Sequence, residues 1–78
     1  MTINFSELLS SEQKRNLIEN RIAQFAAEGY QHTLNLSAAE KLEDEQLIEA
    51  SQKAIETLSA AIETHEAELA ALPVEVTQ

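Results

Sequence analysis

Ile48, Ile55, Ile62 and Leu69 recur every seven residues, and Ser51, Leu58, His65 and Leu72 fill the positions three later. This is an unbroken a/d heptad from 48 to 72, the pattern of a helix packed lengthwise along another helix. Ala50, Ala54 and Ala61 flank that seam and allow close approach. Pro73 stops it, leaving residues 74–78 as a short tail.

A second stripe precedes it. Apolar residues recur at Leu17, Ile18, Ile22, Phe25, Gly29, His32, Leu36 and Ala39, and from Ile18 the steps alternate between four and three. Ser10-Ser11-Glu12-Gln13 is a capping box that starts this helix, and Glu12 suits the positive end of the helix dipole. Gly29 keeps the phase of the stripe, so the helix is expected to run through it. A glycine on the seam would let a neighbouring backbone come close, at a cost of about 1 kcal/mol against alanine. Ser37-Ala38-Ala39-Glu40 is also a capping-box pattern, and a third helix beginning there is the alternative.

The turn falls around Leu42 to Glu45. Glu43, Asp44 and Glu45 are unfavourable at the end of one helix and favourable at the start of the next, with Asp44 as its N-cap. The expected fold is all-α. Two helices of about 28 and 32 residues, some 42 to 48 Å long, fold into an antiparallel hairpin over residues 10–73. Contacting residue numbers should add to about 88. A lone hairpin leaves both stripes half covered, and pairing two hairpins into a helical bundle completes them. The packing and dimer seam is then Ile18, Ile22, Phe25, Gly29, Leu36, Ile48, Ile55, Leu58, Ile62, Leu69 and Leu72.

Residues 1–9 form an N-terminal arm. Ile3, Phe5, Leu8 and Leu9 predict a short helical turn docked on the body, with a partner-binding arm as the competing reading.

With 78 residues there is one small core at most, and without cysteine neither disulfides nor thiolate metal sites can reinforce it. Helix packing, a second subunit or a partner must do so. No export signal or run of roughly 20 apolar residues is present, so a soluble, cytoplasmic protein is expected.

The net charge of −9 is uneven. Lys14, Arg15 and Arg21 balance Glu7, Glu12 and Glu19, so the entire excess lies in residues 23–78. Direct nucleic-acid binding is not expected, because it needs clustered cations. Glu49, Glu56 and Glu63 repeat every seven residues, about 10 Å apart. This row could imitate a nucleic-acid backbone in a basic groove. The simpler reading is the solvated face of an amphipathic helix, partly offset by Lys53.

Nothing in the chain builds an active site. His32 and His65 lie on the seams too far apart to meet within one chain. Seam histidines more often set register than bind metal, though a pH-sensitive interface is a further possibility. Glu28 and His32 share a helix face but lack a third group. Phosphate-cradling loops need glycines that are absent. A non-enzymatic protein is expected, with no cofactor, metal, small-molecule substrate or membrane, acting through a protein partner and as a homodimer. Candidate partner contacts are Phe5, Leu8, Arg15, Arg21, Tyr30, Glu49, Glu56 and Glu63.

The segment Phe5-Ser6-Glu7-Leu8-Leu9-Ser10-Ser11-Glu12-Gln13-Lys14, followed by alanine-rich acidic helix, resembles the short accessory proteins encoded by bacteriophages. The resemblance covers about the first 40 residues and assigns no functional residue. It implies a bacterial host cytoplasm and a protein that binds and modulates or inhibits host machinery. A virion component or assembly chaperone is the alternative.

Overall fold

A computed structural model describes residues 2–73; the tail at 74–78 lies outside the described residues. A 3₁₀ turn at Phe5–Leu8 precedes two helices, α1 (Ser11–Leu42) and α2 (Glu45–Ala71), which fold back on each other as an antiparallel hairpin. The described residues contain no strand.

Each helix boundary has a local cause. The Gln13 amide donates to Ser10 Oγ at 3.1 Å, and the Ser10 amide donates to Gln13 Oε1 at 2.9 Å, so the capping box is complete. Near the other end of α1, the Glu43 amide donates to the Glu40 carbonyl and the Asp44 amide to the Ala39 carbonyl, both at 3.1 Å. This is a Schellman closure, and it forces Glu43 into the left-handed region at φ 55°, ψ 33°. Asp44 then caps α2, its Oδ1 accepting from the Gln46 and Leu47 amides at 3.1 and 3.2 Å. Thus two residues turn the chain around. Leu72 is extended at ψ 143°, as the residue before Pro73 must be, and α2 ends there.

Both predicted stripes face inward. Ile18, Ile22, Phe25, Leu36, Ile48, Ile55, Leu58, Ile62, Leu69 and Leu72 are all half-buried. The register agrees with the expected sum: Arg15 donates to the Pro73 carbonyl, Arg21 to His65, and Phe25 packs against His65. Two helices cover each other on one side only. Among the described residues just Ala39 and Ser51 are fully buried, and no large side chain is. Both are small residues next to the turn.

Three expectations need correction. Gly29 mediates no close approach, since a Cβ built there would meet nothing within 4 Å. Its phase on the stripe sets its direction and not the distance to α2. Leu17 is about half exposed, because it stands about 100° around the helix from Ile18. Helix α1 runs unbroken through Gly29 and Ser37, as expected, and the alternative of a third helix falls away. The arm forms its helical turn, but Phe5 and Leu8 remain 72% and 67% exposed. It is tied to the body by a hydrogen bond from Lys14 Nζ to Ser6 Oγ at 2.9 Å and not by burial.

Candidate interaction surfaces

The hairpin has two broad faces of different chemistry. At about 100° per residue, residues on the same side of both seams share a face. On one side lie Arg15, Glu19 and Glu40 of α1 with Glu45, Glu49, Glu56 and Glu63 of α2. Glu40, Glu43, Glu45 and Ile48 line a shallow depression at its turn end. Glu49, Glu56 and Glu63 are all exposed. Lys53 pairs with Glu49 at 3.7 Å, and both side chains are more than two-thirds exposed, so that pair contributes little. The row carries one charge per about 10 Å, against one per about 1.7 Å of duplex DNA axis. Such a density suits a solvated helix face better than a copied phosphate backbone.

The opposite face is poor in charge. Leu17 and Leu42 of α1 and Leu47, Ala50, Ala54 and Ala61 of α2 lie on it. Its charges are Lys14 and Arg21 against Glu28 and Glu68, two of each sign. At the turn end, His32, Asn35, Ala38, Ala39 and Leu42 face Leu47, Ala50 and Ser51 across an open groove of about 390 Å³. This volume is of small-molecule size, but the polar lining is only His32, Asn35 and Ser51. At the other end Phe5 and Leu9 overhang Leu17 and Ile18 in a second apolar depression.

Between these ends a polar cluster bridges the two helices at the seam. Arg21 Nε donates to His65 Nε2 at 2.9 Å, and His65 Nδ1 lies 2.6 Å from the Ala61 carbonyl. Arginine only donates and a carbonyl only accepts, so the hydrogen belongs on Nδ1 and the ring is neutral. The Arg21 guanidinium carbon lies 5.1 Å from the centre of the Phe25 ring, which meets the His65 ring edge-on at 5.0 Å between centroids. Arg21 therefore turns its Nε–H and its flat face toward the hairpin, while the residue as a whole stays exposed. His65 is placed near the level of Ala23, as the register expected. His32 lines the groove near the turn, and the two histidines do not meet.

The remaining candidates divide. Arg15 is half-buried and holds the Pro73 carbonyl at 3.2 Å. Tyr30 is 65% exposed and points away from α2, one turn from the equally outward Leu34. Phe5 and Leu8 are open at the arm. Among the described residues no three His, Asp or Glu side chains are grouped closely enough to hold a metal ion. No helix of the described residues is long and apolar enough to cross a membrane. Compared with protein-family models, curated proteins and solved structures, the chain matches none.

Proposed function

We propose that this chain is a non-enzymatic, homodimeric interaction module that works by binding another protein. The observation that supports it is the open seam. Ten large apolar side chains meet between the helices, yet none is fully buried. Half burial contributes about 1 kcal/mol each, where full burial would contribute roughly 1.5–3. In a chain this small, without disulfides, that difference is large against the few kcal/mol a single small core supplies. A second copy supplies the missing layer. The outer surfaces, with exposed Phe5, Leu8 and Tyr30, remain for a different partner.

The phage-like opening segment extends the proposal to an accessory protein that modulates or inhibits a bacterial host protein in the cytoplasm. Light scattering with circular dichroism tests the first part: a helical species of twice the chain mass is expected. A helical monomer at all concentrations would refute it. Expression in a bacterial host tests the second, where one host protein should co-purify in fixed ratio. Recovery of the chain only in virus particles would replace the inhibitor reading with the virion component.

A further inference from the structure

We infer that the second copy docks on the charge-poor face, head to tail, so that the arm end of each hairpin lies over the turn end of the other. This rests on the dimeric reading above and adds to it the face and the orientation.

The hairpin is a single layer of helices, 14 Å thick through its Cα atoms. A helical core needs a second layer. Of the two faces only one can receive a copy of itself. An isologous contact brings a patch against the same patch. On the acidic face that sets Glu49, Glu56 and Glu63 against a like-charged row, which costs free energy on both sides. On the charge-poor face Leu42, Leu47, Ala54, Ala61 and Leu17 would meet their counterparts, with two cations and two anions per copy. The area is adequate. Two helices about 10 Å across and about 40 Å long offer roughly 800 Å². The pair would bury about 1,600 Å², the size of a stable protein interface.

Orientation follows from the ends. The turn carries Glu40, Glu43, Asp44 and Glu45 with one cation, Lys41. The other end carries Lys14, Arg15 and Arg21 against Glu7, Glu12, Glu19, Glu63, Glu66 and Glu68. Both ends are acidic on balance, so charge does not set the orientation. Shape does: the turn end holds the groove between Leu42 and Leu47, and the open end of the same face holds the exposed Phe5. Head to tail, the apolar overhang of Phe5 and Leu9 approaches the groove between Leu42 and Leu47.

The chain has no cysteine, so a single introduced thiol labels cleanly. A nitroxide on Lys41→Cys, exposed on the outward side of α1 and measured by double electron–electron resonance, should report about 45 Å between copies head to tail, against roughly 25 Å with the turns together. The short distance would overturn the orientation while leaving the dimer intact. Ala54→Glu, on the charge-poor face, should weaken the dimer by about tenfold or more. Ser59→Glu, on the other side of α2, should change it less than about twofold. Equal effects would overturn the choice of face. A monomeric labelled protein, with the unsubstituted chain also monomeric, would refute the dimeric reading itself. The resonance distance is read on a folded dimer, so it holds even if Ala54→Glu fails to fold.

Discussion

Gly29 is the residue whose replacement tests the packing most directly. It lies mid-helix, has no positive φ and faces open space. Alanine there removes the entropy penalty without a clash, so Gly29→Ala should raise stability by about 1 kcal/mol in urea denaturation. A loss would mean that another backbone does approach at that level. His65 allows a second test at this scale. The donors and acceptors around it require the hydrogen on Nδ1, the less common tautomer of a free imidazole. Long-range ¹⁵N–¹H correlation at neutral pH should find a protonated Nδ1 and a bare Nε2. In Arg21→Ala that preference should weaken. The groups facing the ring are Arg21, Phe25 and the Ala61 carbonyl.

The turn dominates at the scale of elements. Two residues reverse the chain, and one of them, Glu43, is a side-chain-bearing residue in left-handed geometry. Glu43→Gly should stabilise the hairpin by about 0.5–1 kcal/mol, because relief of the left-handed strain exceeds the entropy glycine adds to the unfolded chain. Asp44→Ala should cost about 1 kcal/mol by orphaning the Gln46 and Leu47 amides. Thermal denaturation of the two variants should move in opposite directions. This turn also shows what could be read in advance. The capping box at Ser10, the cap at Asp44 and the stop before Pro73 were legible, since each depends on neighbours within four residues. Both stripes were legible because their period is that of the helix. The left-handed Glu43 was not: no glycine or asparagine marks it, and the hydrogen bonds that hold it arise only once α1 has stopped. The distance across the seam at Gly29 was hidden for a different reason. Phase gives direction around a helix, whereas separation depends on both partners. The arm's Phe5 and Leu8 read as buried from their chemistry alone, but the hairpin provides no surface deep enough to bury them. Arg21, chosen as an outward contact, is held by His65 and Phe25, a cluster that only the register of two helices could bring together.

On the scale of the whole molecule, the segregated charge separates the ways the protein could bind. Changing Glu49, Glu56 and Glu63 together to Gln should leave the dimer and its helix content unchanged. It should also barely alter binding to a partner held by apolar contacts. A partner recognised by its basic groove would be lost, with the loss visible as a flattened salt dependence. For the proposed dimer, stability should rise with protein concentration, since association and folding are then linked. A melting temperature independent of concentration would contradict this.

The Arg15–Pro73 contact places the open ends of both helices side by side, with the turn at the far end. The same seam therefore has two mechanical strengths. Tension applied across the open ends peels the helices apart one level at a time, beginning with that single hydrogen bond. Tension along the long axis, between the turn and an open end, loads every level in shear at once, and the whole row from Ile18 to Ala39 must slip together.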